Sequence, residues 1–156
     1  MKKTNAMRIL DSNKINYEEI AYETDGSFKS GVNTANKLNE DVNHVYKTLV
    51  TKSNTKNIFV FVIPAPCELD MKKAAFFADE KSIEMIEVKE LKNITGYVRG
   101  GCSPIGMKKD FPVFLDKSAL NLSYIYISGG KIGFQIKLNP KDLIKLTNAK
   151  VEDIIR

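Results

Sequence analysis

Apolar residues recur along this chain with two periods, one helical and one alternating, and most elements can be read from them. In residues 3–13, Ala6, Ile9 and Leu10 fall on one side with Lys and Arg opposite, which predicts an amphipathic helix ended by Asn13. Residues 15–22 alternate imperfectly through Ile15, Tyr17, Ile20 and Tyr22 and predict a first strand. A polar turn is expected at 23–27, then a second short helix at 30–38 with Val32, Ala35 and Leu38 inward. Residues 44–51 are apolar and β-rich apart from Lys47. Residues 58–63, Ile-Phe-Val-Phe-Val-Ile, form the most continuous apolar run and predict a central strand buried on both faces, stopped by Pro64 and Pro66.

The second half continues in the same way. Residues 69–78 predict a helix with apolar Leu69, Ala74, Phe76 and Phe77, exposed Lys72 and Lys73, and Asp70 favouring its first turn. A short strand at 83–88 and a single helical turn at 90–95 lead into a glycine-rich loop. Beyond it come a strand at 111–116, a short turn or helix at 117–120, and a strand at 124–128 that ends in Gly129-Gly130. The chain returns through 133–138, with Phe134, Ile136 and Leu138 facing one way and Gln135 and Lys137 the other. A helix opening near Pro140 and a short amphipathic tail at 150–156 close it. Strands do not alternate strictly with helices. The expected class is therefore α/β of the mixed α+β kind: a mixed sheet with short helices packed outside, not a doubly wound parallel sheet.

Composition narrows this only a little. The 156 residues suit one domain over 1–156 with a real core, and 43% apolar content is ordinary for a globular chain. No apolar run nears the roughly 20 residues of a membrane helix. The basic start lacks the apolar core of a secretion signal, so no membrane and a cytoplasmic location are expected. The net charge of +5 leans toward a polyanion such as nucleic acid, although a solvated lysine-rich surface gives the same figure. Cys67 and Cys102 lack the spacing of a zinc or redox pair, and neither metal nor cofactor is expected.

The stretch with the most chemical promise is Gly96 to Lys109. Four glycines, Pro104 and flanking cations describe either a tight turn or a loop of exposed N–H groups suited to an anion or a carbonyl oxygen. In a compact domain, Gly100-Gly101 and Gly129-Gly130 could meet at one sheet end. Lys47 either reaches solvent from its strand or points into a pocket, where its charge suits a phosphate. Cys102 and the lone His44 could form a nucleophilic dyad or be unrelated. Ser103 sits in no nucleophile elbow and is better placed as a hydrogen-bonding group. Phosphate-loop and dinucleotide signatures are missing. Glu68, Asp70, Asp116 and Asp142 are each explained as caps or surface charges.

Taken together, Val45 to Val50, Leu69 to Ala74, Thr95 to Gly106 and Ile125 to Gly133 resemble the YbaK/EbsC family of aminoacyl-tRNA deacylases, most closely the branch acting on Cys-tRNA(Pro). The resemblance covers nearly the whole chain, with Tyr-Lys-Thr-Leu and Gly-Gly-x-Ser-Pro-x-Gly as its specific motifs. It implies a partly barrel-like sheet surrounded by short helices. It also implies trans-editing: hydrolysis of cysteine from mischarged tRNA(Pro), with prolyl-tRNA synthetase as a partner and no cofactor. By the same resemblance, Lys47 and Gly101 take catalytic places, Lys47 near the terminal nucleotide. Gly100, Cys102, Ser103 and Pro104 hold the aminoacyl carbonyl region, while Tyr22, Phe28, Gly129, Gly130 and Gln135 border the substrate. The implied cleavage uses the substrate's own thiol, which leaves Cys67 and Cys102 as bystanders. Two alternatives remain: a deacylase for another small amino acid such as alanine, and a module that binds aminoacyl-tRNA or a synthetase without turnover. In the family pattern an acidic residue stands where this chain has Gln135.

Overall fold

The computed structural model describes residues 3–23 and 31–156, with backbone alone at 31 and 32. The expected turn at 24–27, Phe28 and the side chain of Val32 lie outside the described residues.

Eight strands are described: β1 (Tyr17–Ala21), β2 (Tyr46–Ser53), β3 (Ile58–Pro64), β4 (Ile83–Met85), β5 (Val113–Asp116), β6 (Ile125–Ser128), β7 (Phe134–Leu138) and β8 (Lys150–Glu152). They form two sheets where one mixed sheet was expected. The smaller, in the order β1-β7-β6, is antiparallel throughout. The larger, β4-β2-β3-β5-β8, is mixed: β2 is antiparallel to β3 and β4, while β3, β5 and β8 run parallel. The 58–63 run is its middle strand, and every residue after Ile58 is buried. A single parallel bridge, Val45 to Tyr126, joins the sheets at the start of β2.

The helices are α1 (Asn5–Ser12), α2 (Gly31–Leu38), α3 (Met71–Phe77), α4 (Val88–Thr95) and α5 (Pro140–Thr147), with 3-10 turns at Val42–His44 and Lys117–Asn121. Capping explains several boundaries. The Thr4 hydroxyl accepts from the Met7 N–H, Asp70 accepts from the N–H groups of Lys72 and Lys73, and Asn139 accepts from Lys141 ahead of Pro140. Glu87 and Glu90 form a reciprocal capping box, which extends the expected single turn at 90–95 into an eight-residue helix. Val88 therefore starts α4 instead of ending a strand. The tail expected at 150–156 contains β8, held by parallel pairing with β5.

Two layers of apolar side chains result. The inner one brings together Val60, Val62, Leu115, Ile125, Ile127 and Ile136 from both sheets under Ala6, Met7 and Leu10 of α1 and Leu143 of α5. Each large aliphatic buried this way contributes about 1.5–3 kcal/mol. On the outer face, α3 covers Phe59, Phe61 and Ile63, while Ala35 of α2 packs with Val45 and Tyr126. Ala74 and Ala75 make the buried side of α3, and Phe76 is 76% exposed because it falls on the opposite side of that helix.

Candidate active site

The pleat and the register place the candidate residues on one face. Val45 and Tyr126 are bridged and share an apolar cluster with Ile20, so they point to the same side, the outer face. Side chains two apart in a strand share a face, and so do residues directly opposite. Two residues beyond the bridge, Lys47 on β2 and Ser128 on β6 therefore take that same face. Ser128 is opposite Gln135 on β7, and Gln135 is opposite Ile20 on β1. Tyr22, two residues after Ile20, continues the row; its N–H donates to the Gly133 carbonyl at 2.9 Å and its hydroxyl lies 3.5 Å from that of Thr34 on α2. The row Lys47, Ser128, Gln135, Tyr22 lies beside the part of the face that α2 covers. Ser128 has no counterpart in the sequence reading. The signal for it is the register of one bridge, which is a tertiary fact.

Lys47 is half-buried between the cluster under α2 and the cluster under α3. Among the described residues no carboxylate lies within ion-pair distance of it. Burial lowers its pKa below the ordinary lysine value, and the nearby Cys67 and Glu68 oppose that shift. A cation held in a partly dry position without a protein counter-ion suits an anionic ligand.

The glycine loop meets the turn between β6 and β7, as the two Gly-Gly pairs suggested. A Cβ on Gly101 would stand 3.1 Å from Lys131 Cα and 3.2 Å from the Ile132 nitrogen. A side chain there would be tight against backbone that must give by a few tenths of an ångström, whereas glycine permits the approach without strain. The loop is not the exposed one expected: residues 101–105 are all buried. Ile105 inserts into the inner core, Cys102 packs on Val50 and Tyr97, and the Tyr97 hydroxyl donates to the Ile105 carbonyl at 2.5 Å. Gly101 N–H is taken by the Val98 carbonyl, and the Ser103 hydroxyl accepts from the Ile105 N–H. The N–H groups of Cys102 and Ser103 donate to no described protein group. Two adjacent unspent donors on a braced backbone can receive a carbonyl oxygen. On the neighbouring turn, Gly129 N–H donates to Phe134 and Gly130 N–H to the Ser128 hydroxyl, so those glycines brace the row and spend their own donors.

The nucleophilic dyad does not form. His44 stacks on Tyr124, and its Nδ1 lies 3.0 Å from the Tyr124 carbonyl, whereas Cys102 packs with Val50 and Tyr97. Burial pushes the Cys102 thiol up to about 12, which leaves little thiolate at neutral pH. The carboxylates have the structural roles expected. Asp70 caps α3, and Glu68 pairs with Arg156. Asp116 caps the following 3-10 turn and binds the Ile154 N–H, and Asp142 sits in the first turn of α5. Gln135 is 6% exposed, its side chain makes no hydrogen bond to any described group, and its Oε1 is buried. Among the described residues no cluster of His, Cys, Asp or Glu could hold a metal, and no helix is long and apolar enough to cross a membrane. A cleft of about 750 Å³ opens behind the loop, between Ile9, Pro104, Met107 and Phe111. It contains none of the row residues and no paired ionisable groups of catalytic type.

The profile of the aminoacyl-tRNA editing domain family matches residues 28–146. Among curated proteins, the chain is 42% identical over 153 residues to the "Putative Cys-tRNA(Pro)/Cys-tRNA(Cys) deacylase EbsC" of Enterococcus faecalis (strain ATCC 700802 / V583), covering 98% of this chain and 93% of that one. It is also 26% identical over 100 residues to a proline–tRNA ligase of Brachyspira hyodysenteriae (strain ATCC 49526 / WA1), 64% of this chain but only 17% of the ligase. Among solved structures, a crystal structure of "a putative trans-editing enzyme for prolyl tRNA synthetase" superposes with a TM-score of 0.87 at 21% identity, over 100% of this chain and 99% of the other. At that identity the superposition speaks for the fold.

Proposed function

The chain belongs to the aminoacyl-tRNA editing domain family, and from that premise we propose that it is a trans-editing hydrolase that deacylates mischarged Cys-tRNA(Pro). Its products are cysteine and free tRNA. Residues 1–156 act as one editing domain in the cytoplasm, on tRNA released by or still held on prolyl-tRNA synthetase. The logic of such a domain is general. A synthetase pocket for one small side chain discriminates weakly against another of similar size, so a second site must clear the error.

The observation that carries this reading is the placement of Lys47. It stands half-buried, without a carboxylate partner among the described residues, on the same face as Ser128 and Tyr22. It takes the phosphate of the terminal nucleotide. The ester carbonyl then sits against the Cys102 and Ser103 N–H groups, which Gly101 holds in place against the Lys131–Ile132 turn. Tyr22 borders the aminoacyl group.

Among the described residues there is no activated nucleophile there, so the substrate supplies one. The cysteinyl thiol sulfur attacks its own ester carbonyl carbon. A C–S bond forms, the C–O bond to the ribose breaks, and the departing ribose oxygen gains the proton that the thiol gives up, relayed by the neighbouring ribose hydroxyl. The thiolactone then adds water and opens to cysteine. This cleavage is lyase-like in its first step and hydrolytic overall. The two loop N–H groups stabilise the charge that develops on the carbonyl oxygen.

Deacylation of Cys-tRNA(Pro) by Lys47→Ala tests the assignment. Loss of one charge-assisted contact lowers kcat/KM by about ten- to a hundredfold, and Lys47→Arg recovers part of it. A Lys47→Ala protein with the wild-type rate would remove Lys47 from the site.

A further inference from the structure

The unspent amide of Gln135 is the feature the proposed function leaves unexplained. A buried polar group without a partner costs about 1–3 kcal/mol, so native folds seldom keep one without a use. Gln135 sits on β7, the central strand of the smaller sheet, directly opposite Ser128, with its Oε1 buried and unpartnered. Lys137, the next residue on that face, is turned away: its ammonium lies 4.3 Å above the Tyr124 ring and 3.6 Å from Glu18. Resting on the deacylase reading above, we propose that Gln135 reads the free α-ammonium of the aminoacyl group, so that the site requires an unblocked amino acid.

Position along the row selects the ammonium. Ser128 follows Lys47 on the face that the Val45–Tyr126 bridge defines, and Gln135 is directly opposite Ser128, so Gln135 lies beyond Ser128 as seen from Lys47. With the nucleotide phosphate at Lys47 and the ester carbonyl at the loop, the ribose hydroxyls fall on the Lys47 side. The end of the substrate that reaches Gln135 is the amino acid. Its donors are a thiol, which is weak, and an ammonium, which is strong and charged. A neutral amide oxygen accepts from the ammonium without forming an ion pair. Its partner is then supplied by substrate and by no described residue of the protein.

The test compares Cys-tRNA(Pro) with N-acetyl-Cys-tRNA(Pro), which keeps the thiol and the ester but loses the ammonium. Rates are corrected for spontaneous hydrolysis. Wild type is expected to prefer the free amine by about ten- to a hundredfold, the range of a hydrogen bond to a charged group. In Gln135→Leu that preference collapses toward unity, because activity on the free-amine substrate falls while activity on the blocked one does not. The variant is expected to be at least as stable as wild type, since an unpaired buried polar group has been removed. Gln135→Glu, which keeps shape and acceptor, is expected to widen the preference. A Gln135→Leu protein that folds and keeps the wild-type preference overturns the assignment, as does a Gln135→Glu protein with an unchanged ratio. Wild type that cleaves both substrates equally overturns it while leaving the deacylase reading intact. Wild type that cleaves neither overturns both.

Discussion

Gly101→Ala probes the link between fold and chemistry most sharply. The added methyl would lie 3.1 Å from Lys131 Cα, 3.2 Å from the Ile132 nitrogen and 3.3 Å from the Lys131 carbonyl carbon. All three are backbone atoms, and none can swing aside as a side-chain tip could. The turn that carries them is tied by the Tyr22 N–H to Gly133, the Gly129 N–H to Phe134 and the Phe134 N–H to Lys131. The glycine loop must therefore lift by a few tenths of an ångström. Overpacking of this kind costs about 1–3 kcal/mol of stability. The larger effect falls on activity, because the Cys102 and Ser103 N–H groups move with the loop. Misplacement of reacting groups approaching 1 Å costs about a hundredfold, so a tenfold or greater loss of kcat is expected. Gly96→Ala is the control. Gly96 has φ +89, yet its nearest neighbour is the flexible Lys108 side chain at 3.5 Å. It loses about 1–2 kcal/mol to the left-handed backbone and leaves the loop donors in place. Single-turnover deacylation and urea unfolding of both variants separate the cases. A Gly101→Ala enzyme with wild-type kcat would refute a carbonyl-binding role for the loop.

Two further outcomes follow from buried protons. With its thiol raised to about 12 and packed away, Cys102 is expected to resist iodoacetamide in the native protein while half-buried Cys67 reacts first, and Cys102→Ser is expected to retain deacylation; loss of activity in that variant would restore a protein thiol to the mechanism. Burial likewise pushes the Tyr46 and Tyr97 hydroxyls up to about 12 from 10.0, and Cys102 from 9.0. The folded state then holds protons that the unfolded chain releases, so their contribution is complete below the ordinary values and is lost as pH climbs toward about 12. The loss is up to about 1.4 kcal/mol per pH unit for each group. Urea midpoints that stay level above about pH 10 would contradict this.

The sequence was most legible where one segment determines its own state. The run from Ile58 to Ile63, the alternation from Phe134 to Leu138 and the capped helix after Asp70 all appear at or near their expected places. What depended on distant partners was not legible. Lys150, Val151 and Glu152 carry no strand pattern of their own and become β8 only beside β5. The two sheets are joined by a single bridge between Val45 and Tyr126, 81 positions apart by their numbers. The candidate site divides along the same line. Lys47 and the glycine loop stood out by residue type, and the meeting of the two Gly-Gly turns was foreseen. Ser128 stayed hidden because only tertiary register brings it level with Lys47. The loop's burial was missed because its glycines look alike in sequence whether they face solvent or a neighbouring backbone. Gln135 was noticed as a departure from an acidic pattern, but its missing partner is visible only in the fold.

As proposed, this chain removes cysteine from tRNA(Pro) using the substrate's own thiol. The direct measurement is amino-acid release by the wild-type protein from tRNA(Pro) charged in turn with cysteine, alanine, proline and 2-aminobutyrate, the last matching cysteine in size without its sulfur. Rapid release of cysteine, with the other three left esterified, is the expected result. Release of alanine or 2-aminobutyrate at a rate equal to or above that of cysteine would contradict it.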